Sequence, residues 1–187
     1  MFELAQRDVR GSDGELFRPE PVAAGARGGR VLAECAVPVT QLSTAWWWVG
    51  VHGGAGETTL EQLYVGTRAA AHRWPLSPGR THAVVLVART NARGLVAVQA
   101  TLRELSERAV AVHLLGLVLM ADAPGRLPRG LRELGERVAA AVPRAWWFPW
   151  VAAWREGETP SRANSPKQAH RLLEQLAGAR DDREAGS

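Results

Sequence analysis

The sequence predicts an α/β protein, a three-layer sandwich in which a mainly parallel sheet is covered by helices on both faces. Three continuous apolar runs, at residues 46–51, 83–88 and 114–121, have the composition of strands that are buried on both faces. Segments with helical periodicity separate these runs, and strands that alternate with helices form βαβ units around a parallel sheet. A hydrophobic content of 46% in 187 residues is sufficient for one domain with a packed core.

The helices and a further strand follow in order along the central part of the chain. Residues 58–67 are predicted to form the first helix, and the stretch 68–81, which holds prolines and a glycine, is predicted to be mostly loop. Residues 91–109 carry apolar side chains three and four positions apart, which is typical of an amphipathic helix. Another helix begins at Pro128, since proline is tolerated in a first turn, and residues 144–150 form a short last strand.

The domain organisation follows from these elements. Residues 1–44 are predicted to be a partly disordered N-terminal extension with one edge strand at 30–39. Residues 45–155 form the α/β domain. Residues 156–187 hold a linker, a short helix that ends near Gly178, and a disordered tail.

The charge composition is dominated by arginine. The formal net charge is +4 and the sequence pI is about 10.4. Lys167 is the only lysine among the 23 basic residues, a bias that is typical of GC-rich genomes such as those of actinobacteria. The arginines are scattered rather than gathered into a dense run, so the sequence supports nucleic-acid binding only weakly.

Other composition signals concern compartment and metal binding. Cys35 is the only cysteine, so a disulfide within the chain is impossible and a reducing compartment is expected. The N-terminus has charges where a signal peptide has an apolar core, and the longest apolar stretch, 109–121, is too short to span a bilayer. The five histidines show no metal-ligand spacing. We therefore expect a cytoplasmic protein without a membrane span or a metal site.

The most specific motif lies at residues 45–60, AWWWVGVHGGAGETTL. An apolar strand leads into a glycine-rich loop and then into two threonines at the start of a helix, which is the layout of a phosphate-binding loop. The candidate phosphate or nucleotide ligands are Gly53, Gly54, Gly56, Thr58 and Thr59.

This loop resembles the deviant Walker A loop of the ParA/MinD-like ATPases, whose pattern is KGGxGK[ST]T. The resemblance extends more weakly to about residue 154, and it implies a reduced P-loop NTPase-like fold with ATP and Mg²⁺ as cofactors. It also places Asp122, which follows a strand, on the base side of a nucleotide, although a turn-capping role fits the same position. Both lysines of the pattern are replaced, by His52 and Glu57.

The replacement of lysine by Glu57 disfavours ATP binding. A carboxylate about 4 Å from a phosphate charge costs roughly 4 kcal/mol at an effective dielectric constant of about 20. The family's acidic residue that handles Mg²⁺ also has no counterpart between residues 60 and 83. We therefore expect Glu57 to occupy or disable the anion site, ATP to bind with a dissociation constant weaker than about 100 μM, and a lysine at position 57 to strengthen binding. No catalytic residue and no cofactor are predicted.

The eight tryptophans suggest two roles. Most are expected to pack in the core, with their indole N–H groups bonded to carbonyls. The alternative is a protein-binding patch, since tryptophan is enriched at interface hot spots. The candidates for that patch are Trp146, Trp147, Trp150 and Trp154.

Three hypotheses for function remain open. The first is a non-catalytic interaction or scaffold protein in plasmid partition or conjugative transfer, with a protein partner and possible self-association. The second is an unconventional nucleotide-binding protein or weak NTPase that a partner completes with an arginine or lysine. The third is a nucleic-acid-associated accessory protein, whose binding would fall steeply with salt.

Overall fold

The computed structural model describes residues 32–185. The strands in this part are β1 (Ala33–Ala36), β2 (Trp47–Gly50), β3 (Arg68–Ala69), β4 (Arg73–Leu76), β5 (His82–Arg89), β6 (Val112–Met120) and β7 (Ala145–Phe148). The helices are a 3-10 turn (Val39–Gln41), α1 (Glu57–Leu63), α2 (Ala92–Glu107), α3 (Arg129–Ala140), α4 (Ala152–Arg155) and α5 (Lys167–Ala185).

Five strands form the main sheet in the order β3-β2-β5-β6-β7, and all of their pairings are parallel. The three predicted interior strands are therefore neighbours, as expected. The carboxyl ends of β2, β5, β6 and β7 lie at one edge of this sheet, where α/β proteins place their ligands. A second sheet pairs β1 with β4, also in parallel.

Helices cover both faces of the main sheet. On one face, Leu60 of α1 and Leu172 and Leu176 of α5 pack against alternate residues of the strands. On the other face, Leu95 of α2 and Val138 of α3 pack against the remaining strand residues. Because neighbouring residues of a strand point to opposite faces, strands buried on both sides are continuously apolar, as the sequence runs indicated.

Helix α2 begins where the sequence places it. The Asn91 side chain accepts a hydrogen bond from the Gly94 N–H at 2.8 Å and so caps the helix. The Gly94 backbone lies so close to β5 that a Cβ at this position would be 2.3 Å from the Arg89 carbonyl oxygen. This close approach fixes the start of α2 beside the carboxyl end of β5.

Two predictions about secondary structure were wrong. The stretch 68–81, expected to be mostly loop, contains β3 and β4. Pairing with β2 and β1 and the complete burial of Trp74 override the local signal of its prolines. Helix α5 also continues past Gly178 to Ala185, where a disordered tail was expected. One glycine costs a helix only about 1 kcal/mol, and alanine, arginine and glutamate around it favour the helix.

The N-terminal extension is described only in part. The edge strand expected at 30–39 is present as β1, and the Val37 N–H continues its pairing with a bond of 3.0 Å to the Leu76 carbonyl. Residues 1–31 lie outside the described part, so the predicted disorder there stays a prediction. None of the helices within residues 32–185 has the length and apolar composition needed to cross a bilayer.

Tyr64 attaches α5 to the end of α1. Its buried hydroxyl donates a hydrogen bond of 2.5 Å to the Ala169 carbonyl. Burial raises the pKa of the Tyr64 phenol well above its usual range, against a smaller lowering by Arg162. The neutral phenol is therefore the form that stabilises the fold.

Replacing Tyr64 by phenylalanine is expected to lower the free energy of unfolding by about 1 kcal/mol near neutral pH. The native pKa lies above the unfolded value of 10.0, so this contribution is complete below that pH and declines as the pH rises through the native pKa. The difference between wild type and Tyr64→Phe should therefore shrink in strongly alkaline denaturant titrations. Tyr64 is the only tyrosine, so ultraviolet absorbance follows its ionisation directly, and ionisation near the ordinary pKa in the folded protein would contradict this expectation.

Candidate functional site

A cleft of about 720 Å³ opens at the carboxyl edge of the main sheet. The glycine loop after β2 forms one side, and the segment after β7, including α4, forms the opposite side. The ends of β5 and β6 form the floor between them. This position agrees with the rule that ligands of open α/β sheets bind beyond the carboxyl ends of the strands.

The glycine loop contributes most of the predicted phosphate ligands to this cleft. Gly53, Gly54, Thr58 and Thr59 all line it. Gly56 precedes α1 in a left-handed conformation with φ of 107°, which disfavours any side chain there. Helix α1 begins at Glu57, one residue before the predicted start, and ends at Leu63 rather than at residue 67. It has only seven residues, so its N-terminus alone does not make an anion site.

The Glu57 carboxylate points away from the cleft. Its Oε2 accepts a hydrogen bond from the Gly50 N–H at 2.6 Å, and its Oε1 lies 3.3 Å from Nδ1 of His72. The side chain is buried, and it is not among the residues that line the cleft. The predicted occupation of the anion site by this carboxylate is therefore not seen. The side chain instead accepts the hydrogen bond of the Gly50 N–H at the end of β2.

Arg89 supplies a cation beside the glycine loop, in which both lysines of the Walker A pattern are replaced. Its Nε donates to the Gly54 carbonyl at 3.2 Å and its Nη1 donates to the Ala121 carbonyl at 2.9 Å. These two bonds hold the guanidinium between the glycine loop and the end of β6. Its Nη2 has no hydrogen-bond partner among residues 32–185, so the N–H donors of this nitrogen remain free.

His52 fixes the backbone at the end of β5. Its Nε2 accepts a hydrogen bond from the Arg89 N–H at 3.0 Å, while its Nδ1 lies 2.9 Å from the Gly53 carbonyl. These partners assign a neutral imidazole with the proton on Nδ1, since a carbonyl accepts and an N–H donates. His52 thus joins the glycine loop to β5 and does not act as a cation there.

The cleft carries an excess of positive charge. Three guanidinium groups line it, from Arg89, Arg93 and Arg155, against a single carboxylate from Asp122. Burial lowers the pKa of Arg89, the Asp122 charge opposes this, and the Arg155 charge adds to it. Arg89 remains protonated, and its guanidinium is partly desolvated.

The cleft offers few protein oxygen ligands for Mg²⁺, which proteins usually bind through one or two carboxylates together with substrate phosphates and waters. Asp122 is the only carboxylate among the lining residues, and Thr58 and Thr59 add two hydroxyl groups. The Glu57 carboxylate is turned to Gly50 and His72. Within the described part of the chain, no group of three or more histidine, cysteine, aspartate or glutamate side chains is suited to a metal ion.

A family model matches residues 44–171, and its description is a family of unknown function, DUF6668. The chain belongs to this family. The match runs from the residues before β2 into α5, so it contains every residue of the cleft. No curated protein and no solved structure matches the chain.

The arginines are the part of this DUF6668 site that sequence reasoning missed. Arg89, Arg93 and Arg155 come from β5, α2 and α4, and no motif links them. One signal was available, because Arg89 directly follows a predicted interior strand, at the edge where α/β proteins bind ligands.

Asp122 lies at the mouth of the cleft, as its place after a strand suggested. It is exposed, and its N–H donates to the Thr90 hydroxyl at 3.2 Å, which ties the end of β6 to the end of β5. Its predicted contact with a nucleotide base stays a prediction.

The four tryptophans proposed as an interaction patch do not form one exposed surface. Only Trp147 is exposed, at 43%. Trp146 lies on the other face of β7 and bonds Gln175, and Trp154 bonds Asn164. The Arg155 guanidinium lies 5.9 Å from the ring centroid of Trp150, within the range of a cation–π interaction. Trp150 and Trp154 line the DUF6668 cleft.

The core tryptophans follow the expected burial, but their indole groups bond differently. Trp48 donates to the Thr67 hydroxyl at 2.8 Å and Trp74 to the Glu104 carboxylate at 3.1 Å, so side chains rather than carbonyls accept. The indole nitrogens of Trp46 and Trp47 are buried without a partner in the described part of the chain.

Proposed function

We propose that the protein is a non-catalytic relative of the ParA/MinD-like P-loop ATPases that binds the phosphate groups of a small ligand in the arginine-lined cleft. The observation that carries this proposal is the position of Arg89, held at the glycine loop with one donor nitrogen left over. Hydrogen bonds from a guanidinium N–H to phosphate oxygens are charge-assisted and therefore strong.

Positive charge in the cleft supports phosphate binding without the two lysines of the ParA/MinD-like Walker A loop. Arg93 and Arg155 face the same space as Arg89, so the chain supplies its own cations and needs none from a partner. A carboxylate at position 57 repels a bound phosphate strongly only when it lies beside that phosphate. With that carboxylate turned behind the loop, the nearest charges to the cleft are mainly positive.

The absence of catalysis is proposed from the chemistry of the lining residues. Phosphoryl transfer depends on metal ions that neutralise the developing charge and on a residue that positions the attacking water. The cleft has one exposed carboxylate and a neutral histidine whose two nitrogens are both engaged. These residues bind and orient an anion but do not assemble a hydrolytic site.

Nucleotides are the ligand class that the cleft walls favour. Trp150 and Trp154 border the same space as the arginines, and flat aromatic side chains stack on nucleobases. A partner protein in plasmid partition or conjugative transfer, expected from the family resemblance, stays a prediction.

The proposal is tested by calorimetric titration of the full chain with ADP and ATP, once with EDTA and once with Mg²⁺. We expect dissociation constants between about 0.1 and 1 mM, which correspond to roughly −5.5 to −4.1 kcal/mol. We expect similar values in both buffers and no hydrolysis of ATP above the buffer rate. Binding that requires Mg²⁺, or turnover of ATP, would reject the non-catalytic assignment.

A further inference from the structure

A second cavity, of about 440 Å³, lies beside the arginine-lined cleft. It is bounded by the turn after β6, by the start of α3 and by the end of β7. Its walls are largely apolar and include Leu127, Leu131, Trp147 and Phe148. The charged side chains that border it are Asp122 and Arg126.

The two cavities share a rim. Asn91, Ala121, Asp122 and Pro149 line both of them, so the apolar space begins where the cationic space ends. One small molecule can therefore lie across the rim, with different chemistry on its two sides.

The exposed indole of Trp147 forms a wall of the second cavity, and α3 is shaped to receive it. A Cβ at Gly135 would lie 2.5 Å from the end of the Trp147 ring, so the glycine lets the indole lie against the helix. The exposed fraction of 43% leaves a flat aromatic surface available to a ligand. Burial of such a surface favours binding of apolar groups.

We propose that the natural ligand is a phosphorylated molecule with an aromatic or aliphatic arm, whose arm occupies the second cavity while its phosphate lies at Arg89. This inference rests on the proposed function of the cleft. The Asp122 carboxylate on the shared rim sets the orientation, because it repels a second anionic group and leaves the apolar side to an uncharged arm. A phosphorylated ligand with only polar groups leaves this cavity unused.

The test compares three probes by calorimetry on the full chain in EDTA. Pyrophosphate reports the cationic cleft alone, glycerol 3-phosphate adds a polar arm, and 1-naphthyl phosphate adds an aromatic arm to the same phosphate monoester. We expect 1-naphthyl phosphate to bind at least tenfold more tightly than glycerol 3-phosphate. Equal binding of the two monoesters overturns the inference and leaves the proposed function standing, whereas failure of all three probes to bind overturns both.

Variants of α3 and β7 locate the arm. Trp147→Ala removes the wall, and Gly135→Ala pushes the indole out of its place, so both should reduce the preference for the aromatic arm to threefold or less. Gly130→Ala is the matched control on the same helix, because a Cβ at Gly130 meets no atom within 4 Å. Pyrophosphate binding should be unchanged in all three variants.

Other occupants of the cavity give different results. If Trp147→Ala keeps the preference for 1-naphthyl phosphate, the arm binds elsewhere and the inference is wrong. If the variant instead converts a dimer to a monomer in sedimentation while the preference persists, the cavity is a contact between copies of the chain, and the inference is equally overturned.

Discussion

Replacing Arg89 by glutamine is expected to weaken pyrophosphate binding by about 10- to 100-fold, since hydrogen bonds to charged groups contribute about 1.5–3 kcal/mol. The guanidinium is held by the carbonyls of Gly54 and Ala121, so it needs little reorganisation to meet an anion. Arg93 and Arg155 remain in the variant and should retain a weak, salt-sensitive attraction. Titration calorimetry in EDTA measures the change.

Two control variants separate a specific contact from a loss of net charge. Arg132→Gln removes the same charge from the exposed surface of α3, outside the cleft, and should change the affinity less than twofold. Arg89→Lys keeps the charge but loses the planar fork and should be intermediate. Thermal unfolding of each variant checks that the glycine loop stays folded. An equal loss in Arg89→Gln and Arg132→Gln would show that only bulk charge matters.

Replacing Glu57 by alanine is expected to lower the free energy of unfolding by about 2–3 kcal/mol, because a buried N–H that loses its acceptor costs its desolvation. The N–H in question belongs to Gly50 at the buried end of β2, and the bond length is 2.6 Å. His72 loses its ionic neighbour in the same variant. Urea denaturation followed by tryptophan fluorescence measures the difference.

Matched substitutions in the same helix test the reason for that loss. Glu57→Gln keeps an oxygen that can accept from Gly50 and should recover at least half of the lost stability. Glu61→Ala, which breaks only a partly exposed ion pair of 3.6 Å with Arg68, should cost about 0.5 kcal/mol or less. If Glu57→Ala and Glu61→Ala have the same free energy of unfolding, the buried hydrogen bond to Gly50 does not contribute to stability.

The orientation of Glu57 also changes what a lysine at this position should do. The sequence suggested that lysine would place an ammonium over the loop and strengthen phosphate binding. The side chain at position 57 instead faces the Gly50 N–H, a donor that an ammonium group cannot satisfy. We therefore expect Glu57→Lys to destabilise the protein.

The sequence was sufficient for the interior strands of the main sheet because burial on both faces leaves a strong pattern. The runs at 83–88 and 114–121 became β5 and β6, two adjacent interior strands of the sheet. The short strands β3 and β4 have no such pattern, since they are fixed by their partners and by Trp74 rather than by local propensity.

The site was predictable only where its residues are close together in the chain. The glycine loop is continuous, and its place in the cleft could be predicted from the residues themselves. Arg89, Arg93 and Arg155 meet only because β5 and β7 end at the same edge of the sheet. The Glu57 side chain is directed to the Gly50 N–H at the end of β2, a tertiary partner that no sequence pattern specifies.

The most direct test of the proposed anion site is diffraction from crystals soaked in sodium tungstate, a phosphate-like anion that anomalous scattering locates without ambiguity. We expect a tungsten peak in the cleft, within hydrogen-bond distance of the Arg89 guanidinium and facing Gly53 and Gly54. The same soak of Arg89→Gln crystals should lose this peak. A wild-type crystal with tungstate only on outer surface arginines, and none in the cleft, would contradict the assignment of this cleft as a phosphate site.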